Sequence, residues 1–359
     1  MYPQPVICVT SRPLVKTCGL GTVCLLGSIL VIRPELVAVI LLLAAFLIVP
    51  LGTRFVRRQA SGSMPDRLLR TLCPWQLAAA VSLAASVAVP VGWWSMTLAL
   101  PWMLVTWLIA LCGLIHFARR PRKFADRDQL GIDVAMVFLA MGGTWAVWHR
   151  GGWWPGDFPP VIAQLTAVHF HYAGFALPLI AGQVSAAARV RGAGIVVPAL
   201  AVSTLLLALG ITFSPVLELF SAWLLIGTAI AVGSLQLRFA FRQTRPAMLS
   251  LFAISSVALL SGMGLAGVYA VGEYLGAVAA QDPYTGGAWI DIPLMIRLHG
   301  VTLSCGFALP AMLALSLPPT PPGRWPTAAE LSPHPQMTRS PLPDDQRPDQ
   351  RSPASTRRR

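Results

Sequence analysis

The sequence predicts an all-α protein, a polytopic bundle of about ten membrane-spanning helices with both ends in the cytoplasm. Three observations carry that reading. Of 359 residues, 55% are hydrophobic and only 11% are charged. An ordinary soluble domain carries roughly 25% charged residues, so this chain cannot cover a water-facing surface. The mean hydropathy of +0.65 comes from long apolar blocks, and a spanning helix needs about 20 mostly apolar residues. Barrel strands would alternate with a period of two, so helices are the spanning elements. The third observation is that basic residues collect in alternate connections.

The apolar blocks run at about residues 17–32, 34–53, 74–93, 95–117, 130–148, 161–186, 192–213, 216–236, 247–272 and 292–317. They imply a short cytoplasmic N-terminus over 1–16, a transmembrane helical domain over 17–317 and a tail over 318–359. The first block is short, contains three glycines and is separated from the second by only Arg33 and Pro34. A cleavable signal peptide is the competing reading there, but no small-x-small site follows the block, and the pair reads as a tight hairpin. The tail is rich in Pro, Ser, Thr and Gln and ends Arg357-Arg358-Arg359, a composition that predicts disorder.

The formal charge of +13 raises the question of nucleic acid, and the placement of the charge answers it. One side of a ten-helix register receives Arg12 and Lys16, then Arg54, Arg57, Arg58, Arg67 and Arg70, then Arg119, Arg120, Arg122, Lys123 and Arg127. The same side receives Arg189 and Arg191, then Arg238, Arg242 and Arg245, then every arginine of the tail. Of the 27 Lys and Arg, only Arg33, Arg150 and Arg297 fall on the other side. That asymmetry marks the cytoplasmic face. The basic charge is therefore a topology signal that faces anionic lipid headgroups, not a nucleic-acid footprint. The opposite face carries Glu35, Asp157, Glu218, Glu273, Asp282, Asp291 and a tryptophan-rich hairpin over 149–158, as in an interfacial aromatic belt. The localisation expected is the bacterial plasma membrane, with multiple passes. The six cysteines form no CxxC pair and read as small packing residues.

Two spans carry candidate chemistry. The sixth contains Gln164, Thr166, His169, His171 and Tyr172, and the tenth contains Arg297 and His299. Ionisable groups at that depth are functional candidates by default. Both spans run in the same direction, and each of His169 and His299 lies roughly 10 to 12 Å into a core about 30 Å thick. On a helix His169 and His171 are about 200° apart, so they cannot face one partner. The His169 face, shared with Thr166 and Tyr172, is the better candidate. His171 shares its face with Gln164. The plainer alternative is that neutral histidines merely tie helices together by hydrogen bonds. Arg297, Glu218, Glu273 and Asp291 lie near the outer ends of the last three spans, where Arg297 should turn outward or pair with a carboxylate. Asp133 reads as an interfacial residue. Gly-Phe-Ala-Leu-Pro occurs twice, at 174–178 and 306–310, as a relic of internal repetition or as two independent kinks.

His169-Phe-His171-Tyr172-Ala-Gly174-Phe, together with Arg297-x-His299-Gly300 and Gly306-Phe307, resembles the YndJ-like family of bacterial membrane proteins. The resemblance implies a multi-spanning, transporter-like protein. It also implies an asparagine four residues after the His-Gly histidine, where this chain has Leu303, so Thr302 or Ser304 would have to take that part.

The expected function is a transporter or permease-like protein with a polar His/Tyr site between the sixth and tenth spans. A haem- or metal-binding membrane oxidoreductase subunit and a structural membrane partner are the competing classes. There is no Walker loop, dinucleotide fingerprint, HExxH or GxSxG to carry an ATP-driven or protease mechanism.

Overall fold

The computed structural model describes residues 12–58, 63–120, 126–154, 156, 158–188, 190–278 and 289–317. The expectations for the first residues and for the tail over 318–359 lie outside the described residues. The described chain forms ten helices: α1 (Arg12–Ile32), α2 (Leu36–Arg58), α3 (Met64–Ala88), α4 (Trp93–Arg119), α5 (Arg127–Gly151), α6 (Pro160–Ala188), α7 (Ala193–Phe213), α8 (Pro215–Ala240), α9 (Pro246–Val278) and α10 (Ile292–Ser316). Nine of them, α2 to α10, are long and apolar enough to cross a membrane, and α1 adds a shorter apolar stretch over Lys16–Ile32.

The helix ends follow from local chemistry. Asp66 takes hydrogen bonds from the Ser63 amide at 2.9 Å and its hydroxyl at 2.7 Å, tying the first turn of α3 to the residue before it. This start precedes the expected one, which took Pro74 as the boundary. Proline inside a helix frees the carbonyl four residues earlier, here that of the exposed Arg70. Arg67 and Arg70 therefore lie on the first turns of α3 and not in a loop. Arg33 takes a left-handed conformation, φ 51°, in the turn that closes the α1–α2 hairpin. Gly210 lies directly against the backbone of Leu217 and Glu218, so the α7–α8 hairpin closes where no Cβ fits.

α2, α6 and α5 form the centre, with 83%, 78% and 67% of their apolar windows buried, against 28% for α7 and 33% for α8. The outer helices turn large apolar residues such as Leu205, Phe213, Phe220 and Trp223 outward, as a lipid-facing surface requires. α5 and α6 approach glycine to glycine: a Cβ on Gly131 would lie 2.7 Å from the Gly182 Cα.

Among the described residues the fully buried charged groups, Asp66, Asp133 and Arg150, are partnered at the ends of the bundle. Asp133, expected at the interface, is buried to 2% exposure and ion-paired with Arg120, because burial of a carboxylate demands a partner. Asp66 also meets His116 Nε2 at 3.2 Å. At the opposite end Arg150 donates from Nε to Ser95 Oγ at 2.6 Å, and from Nη2 to the carbonyls of Ser86, at 2.8 Å, and Val89. It thereby caps the C-terminus of α3, where a cation is favourable. The tryptophan-rich hairpin beyond it packs edge to face, Trp148 on Trp153 at 5.1 Å.

Candidate functional site

Among the described residues three helices contain π turns: α2 over Ala44–Ile48, α6 over Tyr172–Ala176, and α10 over Ile296–Gly300 and Thr302–Ala308. A π turn inserts a residue into the hydrogen-bond ladder, and such bulges collect at functional sites. The three helices meet. The Tyr172 hydroxyl donates to the Ile40 carbonyl of α2 at 2.9 Å. A Cβ on Gly300 would lie 3.3 Å from Ile40 Cδ1, so Ile40 stands between Tyr172 of α6 and Gly300 of α10. The π turns of α6 and α10 also touch directly, a lateral contact that sequence periodicity does not specify.

His169 and His171 point to different surroundings, as their spacing requires. His171 has no exposed surface. Its Nε2 accepts from Trp102 Nε1 at 3.0 Å and its Nδ1 donates to the Ala167 carbonyl at 2.7 Å. Both ring nitrogens are used, so His171 is a neutral tie between α4 and α6. Gly142 of α5 makes the room, since a Cβ there would lie 2.6 Å from His171 Nδ1.

His169 and His299 are held differently. His169 Nδ1 bonds the Leu165 carbonyl at 2.8 Å, and His299 Nδ1 bonds the Gly262 carbonyl of α9 at 2.9 Å. A carbonyl only accepts, so the proton of each neutral ring is on Nδ1 and Nε2 presents a lone pair. Among the described residues neither Nε2 has a hydrogen-bond partner. His169 is exposed on the surface of α6, and it is within electrostatic reach of His299. Tyr172 is similarly close to Cys305.

The remaining candidates separate. Thr166 donates to the Ile162 carbonyl of its own helix at 2.8 Å, and Gln164 is buried two turns before His171. Arg297 is exposed and forms no ion pair among the described residues. Glu218 and Glu273 are half-buried and close enough to interact with each other, and Tyr269 hydrogen-bonds Glu273. Asp291 caps α10 by accepting from the Leu294 amide at 2.7 Å. The expected outer cluster thus divides, with its carboxylates engaged away from Arg297. Leu303 packs on Gly262. Ser304 bonds back to Val301 at 3.3 Å, and the Gly262 carbonyl, not Thr302 or Ser304, holds His299.

Trp102, Gly142, Ile40 and Gly262 complete this region. None is titratable, and two contribute only a carbonyl, so side-chain chemistry in the sequence does not point to them. No group of three or more His, Cys, Asp or Glu side chains suited to a metal ion is present among the described residues.

A family model described as YndJ-like protein matches residues 39–307, a stretch that contains every candidate side chain above. A relative from Bacillus subtilis (strain 168), named uncharacterized membrane protein YndJ, is 26% identical over 217 residues. The alignment covers 60% of this chain and 37% of that relative, so the chain matches little more than a third of the relative's length. No solved structure matches.

Proposed function

We propose that this chain, which belongs to the YndJ-like family and is a multi-pass protein of the bacterial membrane, works as a transporter or permease-like protein. His169, Tyr172 and His299 form its polar site between α6 and α10, with Arg297 at the mouth and Thr166 beside it. One histidine carries a coupled proton, since imidazole titrates near neutral pH and is the least costly ionisable group to place in a span. The observation that carries this reading is that His169 and His299 lie within electrostatic reach of each other and each presents an Nε2 with no partner among the described residues. Glycines lie within the π turns of α6 and α10 and prolines flank them, where neighbouring helices can accommodate a change of register.

The test asks whether water reaches His169. A His169→Cys variant in a cysteine-free background, reconstituted in vesicles, should react with a membrane-impermeant methanethiosulfonate. A Val23→Cys control on the outward face of α1 should not. Equal inertness of both positions would place His169 against lipid and end the transport reading. Two free imidazole nitrogens are also what a bis-histidine haem or metal site uses, so a Soret band or stoichiometric metal in purified protein would favour the oxidoreductase reading instead.

The basic end of the bundle faces the cytoplasm and anionic headgroups in this reading, and both termini lie on that side. Reporter fusions after Arg242 should then behave as cytoplasmic and fusions after Trp154 as external.

A further inference from the structure

α2 ends in Arg54-Phe-Val-Arg57-Arg58. On a helix these three arginines fan over roughly 100° of one side, and all are half-buried. The Nε atoms of Arg54 and Arg57 are shielded from solvent and have no hydrogen-bond partner. Arg58 Nη1 donates to the Ser316 carbonyl at 2.6 Å, in the last turn of α10. Ser316 is fully buried, and its hydroxyl also lacks a partner. Three polar atoms without partners thus gather where α2 and α10 end. A guanidinium only donates, so the two arginine nitrogens require an acceptor.

Buried basic groups elsewhere in the described bundle have theirs, Arg120 in Asp133 and Arg150 in Ser95, Ser86 and Val89. Around Arg54 the interacting groups are Cys18 of α1, Cys73 of α3 and Arg57. None of the three arginines forms an ion pair with a carboxylate among the described residues.

We propose that Arg54, Arg57 and Arg58, with the Ser316 hydroxyl, form a seat for the phosphate of one anionic phospholipid. Guanidinium forks match phosphate oxygens two at a time. The seat lies at the end of a spanning helix, between the apolar surfaces of α1, α3 and α10. That is headgroup depth, which favours a lipid over a free anion. The inference rests on the reading of the basic end as headgroup-facing, and it adds one specific site to that diffuse attraction. Arg67 and Arg70 of α3 are exposed near the same end and represent the diffuse charge.

Thermal unfolding of the full-length protein in neutral detergent tests the seat, with phosphatidylglycerol, phosphatidylcholine or inorganic phosphate added. Phosphatidylglycerol should raise the melting temperature above phosphatidylcholine. The R54Q/R57Q variant should weaken that response at least about tenfold in lipid concentration, while R67Q/R70Q keeps it. Should R54Q/R57Q fail to fold, R54K/R57K retains the charge without the fork and should still lose most of the response. Equal losses in R54Q/R57Q and R67Q/R70Q would overturn the seat and leave the general headgroup reading standing. No preference of the wild type for phosphatidylglycerol would overturn both. A matching response to inorganic phosphate would overturn the lipid as occupant.

Discussion

α6 and α10 contain the same string in the same backbone register. In each, π geometry ends on the alanine of Gly-Phe-Ala-Leu-Pro, Ala176 or Ala308, and α geometry resumes on the leucine, Leu177 or Leu309. Their settings differ. α6 buries 78% of its apolar window and α10 only 39%. Gly174 is hemmed in by the side chains of Phe138 and Phe170, whereas Gly306 meets only the Ala258 methyl. Repeated sequence therefore accompanies repeated local geometry, while the neighbours decide how tightly that geometry is enclosed. The histidines follow their surroundings and not their helix: His171, fully buried, has both nitrogens used, whereas His169 of the same helix and His299 of α10 each have one.

If α6 is the anchored member, the largest loss should come from Trp102→Ala, which empties a fully buried indole site and orphans His171. Unfolding in detergent should show a destabilisation of about 3–5 kcal/mol, and a loss below about 1 kcal/mol would break the contrast. Next comes a matched pair of alanines. Gly142→Ala drives a methyl into the His171 ring and should destabilise by about 1–3 kcal/mol. Gly300→Ala meets the flexible end of Ile40 and lies in ordinary contact with Ile296, and should change stability within about 0.5 kcal/mol.

Smaller than the Gly142→Ala loss is His171→Gln, expected to lower stability by about 0.6 kcal/mol per lost interhelical hydrogen bond while activity per folded molecule is kept. His169→Gln and His299→Gln should have the smallest effect on folding and the greatest on function. Their functional losses should be non-additive in the double variant, as groups of one site couple. Independent, additive losses would show that α6 and α10 do not share a site.

The helices themselves were legible because ten apolar blocks separated by basic or acidic connections leave little freedom in counting. The opposed faces of His169 and His171 were equally legible, being a consequence of helical spacing alone. The start of α3 was not, since Pro74 resembles a boundary and only the Ser63–Asp66 pair reveals the true one. The π turns were hidden for a deeper reason. They depend on which carbonyls and methyls crowd the helix from outside, and α2, with no glycine in its turn over Ala44–Ile48, has one too. Contact between α6 and α10, the burial of Asp133 against Arg120 and the carbonyl partners of Tyr172 and His299 all depend on lateral placement, which hydropathy does not encode.

Arg150 has a consequence for how the chain is made. A cation on the sparsely basic side opposes the usual insertion bias, but its acceptors, Ser86, Val89 and Ser95, all precede it in the chain. During synthesis the α3–α4 hairpin emerges from the ribosome before α5 is complete, so the receiving oxygens are already in place when the guanidinium arrives. Chain order thus makes the acceptors before the charge they hold.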